Sequence, residues 1–243
     1  MNHIEFIGVG CAGKSTIFKE LIDDSTYYGG YFDGGLFRQV QYRKVLRNHT
    51  LVNSMQTIVP NKIQKVLFRK ITTRRLFNEF IHDNPNFLLA LHYALNQVER
   101  EPIDDEQISL IGLLKRTAAH YQLGHSTLKQ NEILCLDEGF CQRAASIGVR
   151  TDSFDVPDDR YFDRIPLPDV LIHVDTSAKR AKERRIKRDG IEYSMQKINN
   201  DRQLCDSICN KVTHRGTRVI RVENRKIDLR DIIPKLKNSL AGL

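Results

Sequence analysis

The sequence contains no tryptophan, no repeat and no low-complexity tract, and no hydrophobic run approaching the roughly 18 residues of a membrane span. A membrane-spanning role is therefore not expected. Its five cysteines (Cys11, Cys135, Cys141, Cys205 and Cys209) form no CxxC pair and no zinc-like spacing with histidine. The eight histidines are scattered, so no metal set is expected from them, and His173 reads as a bonded core residue. The N-terminus lacks a basic region followed by an apolar stretch and a cleavage site, so no secretory signal is expected. With an odd cysteine count, this points to reduced thiols and a cytoplasmic location. Cys205 and Cys209 are spaced one helical turn apart, as packing residues would be.

What is present is a well-mixed globular composition, 40% hydrophobic and 28% charged over 243 residues. That length allows one large domain, or one domain carrying an insertion. A net charge of +8 favours anionic partners such as nucleotides, phosphorylated metabolites or nucleic acid, without choosing among them.

His3 to Ile7 reads as a short buried strand ended by glycine, and Lys14 to Ile22 as a helix with Ile17, Phe18, Leu21 and Ile22 on its apolar face. Between them lies "GVGCAGKST". Gly8, Gly10, Cys11, Ala12, Gly13, Lys14 and Ser15 fall within a match to G-x-x-x-x-G-K-[ST], set between strand and helix as the motif requires. Glycines let consecutive backbone N–H groups curl around one phosphate, and the following helix N-terminus faces the same anion. Lys14 would reach the β- and γ-phosphates, the Ser15 hydroxyl would ligate Mg²⁺, and Thr16 would add an α-phosphate contact.

A glycine- and tyrosine-rich stretch from Ser25 to Gly35 reads as a loop, with room for a short strand inside it, and mostly helical signals follow from Leu36 onward. Helices are expected after Pro60, from Pro85 through Val98, and from Asp104 to Leu123. The α/β pattern resumes with "EILCLDEGF", a helix near Cys141 to Gly148, "DVLIHVDTS", a Ser177-capped helix, "TRVIRVEN" and a helix from Leu229 to Leu240. Strands separated by helices imply an α/β fold with a parallel sheet. Residues 1–243 then form one domain, with 36–130 a mostly helical insertion between the first helix and the acidic strand.

"ILCLDEGF" places Asp137 and Glu138 at the carboxyl end of an apolar strand, where open α/β sheets line their ligand crevice. One acid can order the metal through water and the other can take a proton from an acceptor hydroxyl. Asp137 is favoured for metal or base, and Glu138 is the alternative base. Arg180, Arg184 and Arg188 recur at i, i+4 and i+8 along one helical stripe, suited to neutralising a phosphoryl group in transit.

The loop, the acidic strand end, "LIHVDTSAKRAKERRIKR" and "VIRVEN" before a closing helix together resemble the P-loop nucleoside and nucleotide kinases, particularly thymidylate-kinase-like proteins. The resemblance covers Met1 to Ile22 and Asn131 onward. It implies a P-loop NTPase three-layer sandwich and an ATP-dependent, Mg²⁺-requiring kinase. It also implies phosphate clamps at Arg184 and Arg188, a lid over residues 180–195, and an adenine site bordered by Asn224. A homodimer is compatible with it. Where that family carries Asp-Arg, this chain has Asp137-Glu138, and Arg143 stands as the replacement arginine. By the same resemblance the acceptor pocket is built before the acidic strand, with Asp33, Arg38 and Arg43 as its contacts.

"DEGF" followed by "QR" also resembles kinase-like proteins of cell-surface polysaccharide pathways, so the small-molecule acceptor stays open. A polynucleotide 5′-kinase or RNA-associated ATPase is a further reading of the charge, but aromatics are not interleaved with the basic residues Lys62, Lys65, Arg69, Lys70, Arg74 and Arg75. Guanine selectivity of the N-K-x-D type is not expected, since Asn61-Lys62 and Asn210-Lys211 lack the following Asp.

Overall fold

The computed structural model describes residues 2–23, 27–29, 73–98, 105–128, 130, 132–151, 155–224 and 229–241. Asp33, Arg38, Arg43, Lys62, Lys65, Arg69 and Lys70 lie outside them. Five parallel strands form one sheet in the order β2-β3-β1-β4-β5, namely β1 (Asn2–Ile7), β2 (Tyr27–Gly29), β3 (Ile133–Leu136), β4 (Val170–Asp175) and β5 (Arg218–Glu223). Between and after them run α1 (Lys14–Ile22), α2 (residues 73–83), α3 (Phe87–Gln97), α4 (Asp105–Thr127), α5 (Phe140–Gly148), α6 (Asp159–Phe162), α7 (Ala178–Asp189), α8 (Met195–Thr213) and α9 (Leu229–Leu240).

The near-continuous apolar runs of β1, β3 and β4 fit strands covered on both faces. Alternation along the strands divides the core. Ile4, Phe6, Val170, Ile172 and Val174 pack with Ile17, Phe18 and Leu21 of α1 and with Ile232, Leu236 and Leu240 of α9. Ile7 and Leu171 face the other way, toward Phe140, Ala144 and Ile147 of α5 and Leu204, Ile208 and Val212 of α8. Helices therefore cover both faces, giving the expected three-layer α/β sandwich.

The described residues between 73 and 130 form α2, α3 and α4, with non-helical residues at 84–86, 98, 128 and 130. These helices dock on the α5 side through Phe140, on which Phe80 stacks with ring centres 5.8 Å apart and Phe87 packs edge-on at 5.7 Å. The 19-residue helix α8 has no counterpart in the expected elements. Its signals were local: Ser194 caps it by accepting from the Lys197 N–H, and Ile198, Leu204, Cys205, Ile208, Cys209 and Val212 are buried. Cys205 and Cys209 thus pack in the core. His173 is buried as well, its Nδ1 3.7 Å from Asp206.

β1 sits at the centre of the sheet, with the chain winding to one side for β2 and β3 and to the other for β4 and β5. That puts the loop after β1 at the topological switch point, on the ligand-binding edge of such sheets.

Candidate active site

The loop from Gly8 to Gly13 is held by contacts from three separate segments: α5, α7 and the residue that follows β5. The Gly8 N–H donates to Gln142 Oε1 of α5 at 3.2 Å. Arg184 of α7 donates from Nη1 to the carbonyls of Cys11 and Ala12 at 3.1 and 3.4 Å, and its neighbour Arg185 donates from Nε to the Gly10 carbonyl at 3.3 Å. Asn224, just beyond β5, donates from Nδ2 to the Ala12 carbonyl. Gly13 adopts φ +102 as the residue capping α1, and a Cβ there would strike Asn224 Nδ2. Only glycine fits both constraints. Cys11 takes the left-handed conformation without being glycine, at φ 66.

No side chain caps α1, so its first amides are left for an anion at the loop. Lys14 lies over the same loop, its Nζ donating to the Gly8 and Val9 carbonyls at 2.6 and 3.1 Å. The residue keeps some exposed surface, but its ammonium end is enclosed, and burial pulls its pKa below the usual lysine value. Ser15 and Thr16 are exposed at the start of α1.

Asp137 and Glu138 follow the last residue of β3 and occupy different environments. Asp137 is 7% exposed, bonded to Ser15, and its Oδ1 is buried without a hydrogen-bond partner among the described residues. Burial, opposed by that Ser15 bond, raises its pKa above the ordinary carboxylate value. Glu138 accepts from Arg143 Nη2 at 2.7 Å. Arg143 also donates from Nε to Thr117 Oγ1 at 3.0 Å, and the Thr117 hydroxyl donates to the Glu138 carbonyl at 3.2 Å. The insertion helix α4 is thereby tied to the acid pair. Arg143 is nearly enclosed, so its guanidinium is occupied in orienting Glu138.

A serine hydroxyl beside a carboxylate with one unpartnered buried oxygen is a hard-oxygen donor set, and Ser15 with Asp137 fits Mg²⁺.

The basic stripe divides into three environments. Arg180 donates to the Asn224 carbonyl at 3.3 Å and Arg184 grips the loop. Arg188 is exposed and forked onto Asp189 at 2.6 and 2.9 Å. Residues 180–189 are helical; Gly190 ends α7 at φ 68, and residues 190–194 connect it to α8. Arg185, off the stripe, was not anticipated. It forms a buried ion pair with Asp201 of α8 at 2.9 Å and lies over the Tyr193 ring. Nor were Gln142 and Thr117 anticipated.

Neither a family model nor a curated protein matches the sequence. Among solved structures, deoxyadenosine kinase from M. mycoides with bound dATP aligns with a TM-score of 0.51 at 15% identity, covering 98% of this chain and 98% of that one. The same enzyme with bound dCTP gives 0.49 at 16%, covering 99% and 100%. Thymidylate kinase from Ehrlichia chaffeensis gives 0.47 at 12%, covering 98% of each. The dATP-bound structure supports the fold assignment: the chain is an α/β protein with the fold of the P-loop nucleoside kinases. No described helix is long and apolar enough to cross a membrane.

Proposed function

We propose that the chain is a P-loop phosphotransferase that passes the γ-phosphoryl of ATP to a hydroxyl or phosphate on a small molecule, in the manner of nucleoside and nucleotide kinases. The observation that carries this reading is the meeting of Ser15, Lys14 and Asp137 at the carboxyl ends of two adjacent strands, with Arg184 bonded to the same loop.

In this reading the loop amides and the α1 N-terminus hold the β- and γ-phosphates, and Lys14 exchanges its two carbonyl partners for phosphate oxygens. Ser15 and Asp137 would hold Mg²⁺, which would neutralise charge on the phosphate oxygens. Arg184 adds charge from the other side of the loop, and Asn224 with Arg180 borders the nucleotide base. Glu138, oriented by Arg143, accepts the proton of the acceptor hydroxyl. The acceptor oxygen bonds to the γ-phosphorus as the bond from that phosphorus to the bridging oxygen breaks, and ADP leaves with the bridging oxygen. Little covalent work falls to the protein, so rate comes from positioning and charge placement. Asp33, Arg38 and Arg43 remain the acceptor contacts; of the 180–195 segment taken as the lid, α7 is fixed on the loop and on α8 through Arg184 and Arg185, so closure falls to residues 190–194.

The test is ATP-dependent phosphorylation across nucleosides, nucleoside monophosphates, sugars and 5′-hydroxyl oligonucleotides. Transfer to a nucleoside or nucleotide is the expected result. Transfer to a sugar alone would move the protein to the polysaccharide-associated reading. Transfer to an oligonucleotide, falling steeply with salt, would favour a polynucleotide kinase. Absence of transfer to every acceptor would end the kinase reading.

A further inference from the structure

Helix α5 begins beside the acid pair, yet nothing local caps it. Its N-cap is Gly139, no side-chain cap bond is made there, and its first turn contains no acidic residue. The cap comes instead from the middle of β1. Glu5 is fully buried, and its two carboxylate oxygens accept from the Phe140 N–H at 2.9 Å and the Cys141 N–H at 2.8 Å. A carboxylate at a helix N-terminus, bonded to two amides, is favourable on both charge and hydrogen-bonding grounds.

Gly139 follows from this arrangement. Its backbone is extended, at φ −79 and ψ −168, so no unusual dihedral demands glycine. A Cβ at that position would overlap the Glu5 carboxylate. The glycine in "DEGF" is there for space.

These contacts close a circuit. β1 carries Glu5 and, three residues later, the start of the P-loop. Glu5 fixes the first turn of α5, and α5 sends Gln142 to the Gly8 amide and Arg143 to Glu138. Asp137 and Glu138 immediately precede the turn that Glu5 holds. We propose that Glu5 is a positioning residue that sets the distance between the P-loop and the acid pair by gripping the Phe140 and Cys141 amides. It touches no substrate. The proposal rests on reading Asp137 and Glu138 as the metal and proton-accepting acids, and the chemistry depends on their separation from the loop, since displacements of about 1 Å can reduce turnover by on the order of 10²-fold.

The variants are Glu5→Gln, Glu5→Ala, Gly139→Ala and the double variant Glu5→Ala/Gly139→Ala. They are read by amide hydrogen exchange over residues 139–143, by melting temperature, and by kcat and KM for ATP. In Glu5→Gln, exchange at Phe140 and Cys141 should accelerate by about tenfold or more, since one carboxylate oxygen becomes an amide donor facing an N–H. Its kcat should fall by about 10-fold to 10²-fold while KM for ATP changes little. Gly139→Ala should reproduce the exchange and kcat defects alone, but add almost nothing to Glu5→Ala, because the group its Cβ meets is gone. Unchanged exchange over 139–143 in Glu5→Gln would overturn the proposal, as would full additivity in the double variant, or a lowered melting temperature with kcat intact. A wild-type protein that transfers no phosphoryl group would end the kinase reading, and the exchange and additivity measurements would still decide whether Glu5 anchors α5.

Discussion

Arg185 and Asp201 form an ion pair 2.9 Å long with both side chains about nine-tenths buried, and the same guanidinium bonds the Gly10 carbonyl. A helix far along the chain is thus fastened to the phosphate loop through one arginine. Removing one member of such a pair strands the other charge in a dry setting, which costs about 3–5 kcal/mol, whereas replacing both with apolar groups is often neutral. Arg185→Ala should lower the melting temperature by on the order of 10 °C. Arg185→Met/Asp201→Leu should recover most of that loss, as measured by calorimetry.

Lys14→Met should abolish phosphoryl transfer, by about 10²-fold or more, without loss of fold. The melting temperature without nucleotide should rise, because the buried ammonium that burial makes costly is gone. At a concentration of 100 Kd, ATP should stabilise the wild type by about 2.7 kcal/mol. The same ATP addition should leave the variant nearly unmoved in a thermal-shift assay.

Asp137→Asn should separate stability from activity. Burial holds the Asp137 carboxyl above its ordinary value of 3.8, so ionisation there disfavours the folded state. The penalty is full above the raised value, and it disappears once pH falls below 3.8, where folded and unfolded chains are both protonated. The variant should therefore melt higher than wild type at neutral pH, with the gain shrinking on acidification through that range. Turnover should drop by about 10²-fold or more.

Arg184 and Arg188 should behave differently despite their shared stripe. Arg184 bonds two loop carbonyls, so Arg184→Ala should weaken ATP binding by about tenfold or more as well as reducing turnover. Arg188 is forked onto Asp189 and exposed, so Arg188→Ala should spare ATP affinity and reduce kcat alone. Kinetics for the two variants side by side check this.

Local patterns made much of the arrangement readable. The glycine-lysine motif, the strand before it and the helix after it follow from spacing and periodicity alone. The acids closing an apolar strand were likewise visible at Asp137 and Glu138. What escaped reading depends on contacts between distant segments. Glu5 lies 135 residues from the amide it binds, and within "HIEFI" it looks like an ordinary break in an apolar run. The available signal was a lone acid inside a strand expected to be buried on both faces, a placement that demands a partner. Arg185 was obscured by the regular stripe beside it. Ala178, Ala181 and Arg185 are the buried positions of α7, so the helix turns an arginine, not an apolar residue, toward its neighbour. The three acceptor contacts Asp33, Arg38 and Arg43 fall outside the described residues.

The strand order carries a consequence for how the molecule comes apart. β1 is flanked by β3 and β4, while β2, only three residues long, and the partly exposed β5 form the two rims. Opening fluctuations begin where backbone bonds have a neighbour on one side only. Heating or mild denaturant should therefore peel the rims first, and with β5 goes the platform under Asn224. The seam that bears Gly8, Asp137 and Glu138 should be the last to melt, but the Ala12 carbonyl loses its Asn224 donor as soon as β5 peels, so on the proposed reading the hold on a nucleotide should slacken before the centre of the sheet opens.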